Sequence, residues 1–264
     1  MTTDDVTYEV ADRVATLSFN HPDKRNSWSP ELEAGLRAAM DRATTDDGVR
    51  AIVLTGRGKA FCVGASMQTL TSRAASGTGP ARPPRRYRDL EQRYSYIMAV
   101  PKPVIAAING GIAGVGFCLS LYCDIRFMSD TARLSTAFAR RGLVAEHGSS
   151  WMLPRLIGPM NAMDLLLSAR TVGAEECEKL GLVRRLPAEG FLEAVQAYAA
   201  ELANFSSPRS MRLIKEQVWD SHKQSLTEAV HRAEEEIDLC RSTEDYREGS
   251  AHFVEKRAPN FTGR

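Results

Sequence analysis

Hydrophobic and polar residues alternate with a period of two over Val6–Val10 and Val14–Phe19, either side of Asp12-Arg13. That pattern predicts two paired strands joined by a tight turn. The polar stretch Asn20–Pro30 ends in a helix start: Ser29 can cap, Pro30 suits the first helical position, and Glu31 and Glu33 suit its positive end. Leu32, Leu36, Ala39 and Met40 then share one helical face, and Asp46-Asp47-Gly48 closes the element. Ala51–Leu54, Val104–Ile108, Ile125–Met128 and Leu182–Leu186 are short apolar runs of the kind that form buried strands. Between them, Ser72–Pro84 is rich in Ser, Gly and Pro, followed by Arg85, Arg86 and Arg88 with Arg82 inside it; it reads as a surface excursion with a solvated basic face. Pro154 and Gly158 are expected to punctuate short helices, and the chain reads as helical from Pro159 onward. Ala174–Leu180 stops at Gly181, Ser207-Pro208 starts another helix, and Ser225 with Glu228 forms a capping box. In the helix that follows, Leu226, Ala229, Val230, Ala233 and Ile237 share a face. Strands alternate with helices early and helices dominate late, which predicts an α/β core over residues 1–195 and a helical region over 196–264.

Composition narrows the function classes. The chain has 264 residues, 43% of them hydrophobic, and a net charge of +1, so its overall charge gives no reason to expect nucleic acid or a membrane surface as partner. No apolar run reaches the ~18 residues of a membrane span, and the polar, acidic start MTTDDVTYEV argues against a targeting signal. Five scattered cysteines without a Cys-x-x-Cys pair read as reduced thiols of a cytoplasmic protein, with no metal site.

The chemistry centres on Lys102–Asp124, where a buried strand meets Asn109-Gly110-Gly111 and runs through Gly114-Val115-Gly116 into an apolar helix start. A strand, a glycine-rich bend and a helix start put free N–H groups where negative charge is favoured. The spacing Gly111-x-x-Gly114-x-Gly116 is not that of a dinucleotide site, Gly58-Lys59 lacks the Ser or Thr of a P-loop, and no Gly-x-Ser-x-Gly elbow is present. Two small-residue loops remain, Val63-Gly64-Ala65-Ser66 and Gly114-Val115-Gly116, each after a buried strand. They could form an oxyanion hole, in which each backbone donor contributes about 3 kcal/mol to a developing charge; tight strand–helix packing is the alternative.

At these residues the chain resembles the crotonase, or enoyl-CoA hydratase/isomerase, superfamily. NHPDKRNSWSPEL is similar to its first coenzyme A loop, KAFCVGASM to its first oxyanion loop, and KPVIAAINGGIAGVGFCLSLYCD to its second. RRGLVAEHGSSWMLPRLIG resembles its acid/base segment and HFVEKRAPNF its carboxyl-terminal signature. The resemblance implies an α/β crotonase-like spiral of ββα units, a C-terminal helical trimerisation region, and a homotrimer or dimer of trimers. It implies that the amides of Ala65 and Val115 hold a thioester oxygen, and that Lys24 and Arg25 meet coenzyme A phosphates. Lys59, Ala60 and Val63 would lie along adenine and pantetheine, and Phe253 and Lys256 would contact coenzyme A of a neighbouring subunit. Coenzyme A enters as part of an acyl-CoA substrate, and no resident cofactor is expected.

Hydratases of this family carry two glutamates, and here those positions are Cys118 and Phe138. A phenylalanine cannot move a proton, and a buried cysteine usually acts as a small hydrophobe. Glu146 stands where the family's double-bond isomerases, including the ring-opening isomerase of phenylacetate breakdown, carry their carboxylate. Met67, Phe138, Leu143 and Trp151 are candidate walls, His147 is expected to point away from Glu146, and Ser66 has no assigned role. Enoyl-CoA double-bond isomerisation is therefore the leading expectation, and hydration through one carboxylate the alternative. A non-catalytic acyl-CoA binder or an RNA-binding relative is the alternative of another class.

Overall fold

The protein is described by a computed structural model that covers residues 5–65, Thr71 and residues 89–264. Ser66, Met67, Leu70, the excursion Ser72–Pro84 and Arg82, Arg85, Arg86 and Arg88 lie outside the described residues.

The first hairpin forms as the alternation predicts. Strands β1 (Val6–Ala11) and β2 (Val14–Phe19) pair antiparallel, with Asp12 (φ 48°) and Arg13 (φ 63°) both left-handed in the turn. That turn suits the right-handed twist of the flanking strands. Helix α1 (Pro30–Thr45) begins with the Ser29 side chain accepting from the Leu32 N–H. It buries Leu32, Leu36, Met40 and Ala43. There follow β3 (Ala51–Gly56), β4 (Ala60–Cys62), α2 (Tyr96–Ala99), β5 (Val104–Ile108), β6 (Gly111–Ala113), α3 (Val115–Leu121), β7 (Ile125–Ser129) and β8 (Arg133–Ser135). Then come α4 (Ser149–Ile157), α5 (Pro159–Ser168), β9 (Val172–Gly173), α6 (Ala174–Lys179), β10 (Arg184–Leu186), α7 (Phe191–Phe205), α8 (Pro208–Asp220), α9 (Leu226–Arg241) and α10 (Glu244–Glu255).

A six-stranded sheet runs β1-β2-β3-β5-β7-β10, parallel from β2 onward, and a four-stranded sheet runs β4-β6-β8-β9. Each of β3, β5 and β7 is followed by a strand of the smaller sheet, β4, β6 or β8, so the chain winds as a spiral of ββα turns. Both faces of the large sheet are covered. Leu17, Leu54, Ala106 and Met128 join the main core, whereas Val14, Val53, Ile105 and Phe127 pack on Phe191, Val195, Ala199 and Ala203 of α7. Two covered faces explain why β3 and β5 read as continuous apolar runs instead of alternating ones.

A buried ion pair fastens α8 to this core. Lys215 Nζ lies 2.8 Å from an Asp124 carboxylate oxygen and donates to the carbonyls of Ile97 and Lys102. Asp124 also accepts from the Val104 N–H (2.7 Å) and Trp219 Nε1 (2.8 Å).

The structure departs from the expectations at two places. Pro154 does not break a helix but sits inside α4, whose Met152, Leu153 and Ile157 are buried. Burial of that face outweighs the hydrogen bond lost at the proline. The strand expected at Leu182–Leu186 is confined to β10, with Leu182 and Val183 buried ahead of it. Helix α7 runs through residue 195 and belongs to the sheet it covers. Helix α9 forms over the residues whose spacing predicts it, and its apolar residues are exposed on this chain: Leu226 is 81% and Ile237 50% exposed. Among the described residues no helix is long and apolar enough to cross a membrane.

Candidate active site

The two small-residue loops meet. The Trp28 N–H donates to the Gly64 carbonyl (2.8 Å), an isolated parallel bridge of Trp28 with Ala65. In a parallel pair successive residues turn their polar groups to opposite sides, so the Ala65 N–H faces away from Trp28. A Cβ built on Gly64 would lie 3.1 Å from the Ala113 carbonyl and 3.5 Å from the Val115 nitrogen. The Val115 amide, first of α3, therefore lies against the peptide that carries the Ala65 N–H. Helix geometry leaves first-turn amides without an i−4 carbonyl; the bonds of this helix begin with the Cys118 N–H donating to Gly114 at 3.0 Å. Gly114 (φ 52°, ψ −119°) makes the turn into α3, a conformation closed to side-chain-bearing residues.

Glu146 sits on a turn that packs on the same helix. Its carbonyl accepts from the Ser149 N–H (2.9 Å) and the Cys118 thiol (3.4 Å). His147 (φ 49°) and Gly148 (φ 76°) are both left-handed, and the His147 carbonyl accepts from the Tyr122 hydroxyl at 2.6 Å. The Cys118 side chain is fully buried, and burial, with the nearby Glu146 charge, pushes its thiol up to about 12. A thiol so far from ionising is no proton carrier near neutrality. Phe138 is buried at 2% exposure.

The sequence reading missed the aromatic block that joins these parts. The Tyr94 ring stands edge-on to Trp28 (5.6 Å) and to His147 (4.8 Å), so it wedges the Ala65 bridge against the Glu146 turn. Arg93 places its guanidinium 5.3 Å from the Tyr94 ring and pairs through two nitrogens with Glu33 of α1, which also accepts from Trp28 Nε1. His147 points its ring into this block, against Tyr94. Burial, helped by the Arg93 charge, lowers its pKa to about 4, so the ring is neutral at ordinary pH. Trp28 and Glu33 sit in the signature around the α1 start, but Arg93 and Tyr94 carried no local signal because their partners are distant in sequence.

The remaining candidates lie around this centre. Lys24 and Arg25 are exposed on a turn that abuts Gly58, and Lys59 is exposed beside it. Buried Asn26 stitches the two loops, its amide donating to the carbonyls of Arg57 (3.0 Å) and Ala60 (2.8 Å). Ala60 is buried in β4, and Val63 is half-buried against Gly111. Leu143 is exposed. Trp151 is turned outward, its ring 5.4 Å from His222 and 3.9 Å from the Arg155 guanidinium. Phe253 and Lys256 are exposed at the end of α10, far along the chain from the loops above. Met67 lies outside the described residues.

With fold and site in view, the sequence model of the enoyl-CoA hydratase/isomerase family matches residues 9–264. The chain belongs to that family, and its fold is the crotonase fold. It is 38% identical over 249 residues to a Thermus thermophilus protein assigned as an enoyl-CoA hydratase, covering 94% of this chain and 97% of that one. It is 33% identical over 256 residues to the 1,2-epoxyphenylacetyl-CoA isomerase of Escherichia coli, covering 95% of each. Among solved structures, an enoyl-CoA hydratase from Polaromonas superposes with a TM-score of 0.88 at 27% identity, covering 97% of this chain and 99% of that one.

Proposed function

We propose that the protein moves the double bond of an enoyl-CoA thioester from C3 to C2. One observation carries this reading. The turn packed on α3 carries Glu146, while Cys118 and Phe138, at the positions of the hydratase glutamates, are buried and cannot carry a proton.

The steps follow from that arrangement. The amides of Ala65 and Val115 hold the thioester oxygen. Glu146 removes a C2 proton, and the electron pair delocalises over the dienolate, with charge on the oxygen held by the two N–H groups. Each such donor supplies about 3 kcal/mol where charge develops. Glu146 then returns the proton to C4, which leaves the double bond at C2 and restores the carboxylate. Coenzyme A enters as part of the substrate. Lys24, Arg25 and Lys59, gathered on the two loops that Asn26 joins, are positioned to meet its phosphates. Val63 and Ala60 line the same edge, and no resident cofactor is needed. Phe138 is a wall of the acyl pocket in this reading; Trp151 stands outside it.

The uncovered apolar residues of α9 and α10, Phe253 among them, support assembly as a homotrimer or a dimer of trimers. In that assembly Phe253 and Lys256 reach coenzyme A in a neighbouring copy. Free thiols at all five cysteines fit a cytoplasmic setting.

Hydration of a 2-enoyl-CoA at the same oxyanion site is the second reading, favoured by the hydratase assignments of relatives. Offering 2-hexenoyl- and 3-hexenoyl-CoA in heavy water and weighing the products separates them. Deuterium in a product with a shifted double bond and no added water is the expected result. A 3-hydroxyacyl product transfers the assignment to hydration, and binding without proton exchange would make the chain a silent acyl-CoA binder.

A further inference from the structure

One helix reaches both halves of this site. Val115, Cys118 and Tyr122 stand at i, i+3 and i+7, a spacing that places three residues on one helical face. Val115 opens α3 with its amide against the Gly64 peptide. Half a turn and more along, the Cys118 thiol donates to the Glu146 carbonyl (3.4 Å), and Tyr122, which closes α3, donates its hydroxyl to the His147 carbonyl (2.6 Å). The turn they hold has two successive left-handed residues, one of them the non-glycine His147. Such a conformation costs about 1–3 kcal/mol and persists only where its surroundings impose it. The approach is close: a Cβ on Gly148 would fall 2.4 Å from the Tyr122 hydroxyl. Tyr122 is 8% exposed, and burial pushes its phenol up to about 12, so the hydroxyl keeps its proton to donate throughout the neutral range.

We propose that Tyr122 is a positioning residue for Glu146: its hydroxyl, assisted by the Cys118 thiol, fixes the Glu146–Gly148 turn to the helix that supplies the Val115 amide, so that proton carrier and oxyanion donor keep one relative geometry. This rests on the reading of Glu146 as the proton carrier. A rigid link matters because the carboxylate must reach C2 while the thioester oxygen, two bonds away, is held at Val115. A displacement of about 1 Å can cost 10²-fold in rate.

Tyr122→Phe removes the donor and keeps the packed ring. With 3-hexenoyl-CoA in heavy water, kcat and the rate of C2 proton exchange are expected to fall about 30-fold, with KM within about twofold of wild type. The infrared carbonyl shift of the bound thioester, which reports the oxyanion donors, is expected to stay at its wild-type value. Cys118→Val is expected to act in the same direction and less. Because Tyr122 acts through Glu146, Tyr122→Phe in a Glu146→Gln background is expected to cost nothing more. Wild-type exchange by folded Tyr122→Phe, or additive losses in the double variant, would overturn the proposal while leaving Glu146 in its role. Full exchange by Glu146→Gln, or none by the wild-type protein, would remove the reading of Glu146 and this inference with it.

Discussion

Two carboxylates lie near opposite ends of the chain segment that follows α3, and the fold holds them in opposite ways. Asp124 is gripped by its side chain: its oxygens accept from the Val104 amide, Trp219 Nε1 and the Lys215 ammonium. Glu146 is gripped by its main chain, through a carbonyl that accepts from Ser149 and Cys118 and a following carbonyl that accepts from Tyr122. A carboxylate held by three fixed donors is bound into the fold as a structural group. Glu146 is placed through backbone carbonyls, and its carboxylate is the group the proposed mechanism uses.

The contrast can be broken first at Glu146. Glu146→Gln is expected to lower C2 proton exchange about a thousandfold with little change in the denaturation midpoint, whereas Asp124→Asn should lower the midpoint and leave exchange per folded molecule intact. Both are read by exchange in heavy water beside urea unfolding. Next is the pair itself. Lys215→Met leaves the half-buried Asp124 carboxylate without its cation, and an expected loss of about 3 kcal/mol should appear in urea titrations.

A third test concerns the block behind Glu146. His147 has a pKa of about 4 in the fold, lowered from 6.5 by burial and by Arg93. The unfolded chain thus takes up the proton first as pH falls. The contribution is fully present above about pH 6.5 and is lost as pH drops toward 4, by about 3 kcal/mol in all. His147→Phe keeps a ring against Tyr94 and should remove that part of the pH dependence, measured as the difference from wild type between pH 7 and 4. The smallest effect is expected at Ser29→Ala. Loss of the cap on α1 should cost about 1 kcal/mol in urea unfolding and leave the exchange rate alone, because Ser29 supports neither carboxylate.

Features fixed by neighbours in sequence were legible. The Ser29 cap, the Ser225–Glu228 capping box with both of its bonds, and the bounds of Val104–Ile108 all follow from local chemistry. So does the class of the fold, since apolar runs alternating with helical stripes require a covered parallel sheet. What failed to show depends on distant partners. Pro154 reads as a breaker until the burial of α4 is known. Asn26 reads as a loop residue, yet it is fully buried between carbonyls more than thirty positions away. Arg93 and Tyr94 follow a stretch without a pattern, and they matter because α1 brings Glu33 to one and the Glu146 turn brings His147 to the other. The two small-residue loops suggested an oxyanion hole by themselves, but the particular amides of Ala65 and Val115 and the carboxylate of Glu146 were readable only through family resemblance, because amide direction leaves no mark in composition.

In the proposed mechanism the Val115 donor is main chain, and that has a consequence for heredity. No codon change at position 115 short of one to proline can delete an amide hydrogen, so the buried side chain there answers to packing and not to the chemistry. Constraint passes instead to residues that do no chemistry: Gly114, whose backbone angles exclude a side chain, and Gly116, where a Cβ would lie 2.4 Å from the Cys62 carbonyl. In such a site the positions that tolerate least change are the silent ones, and the reaction can be redirected by moving a single carboxylate while the charge-stabilising half is inherited intact.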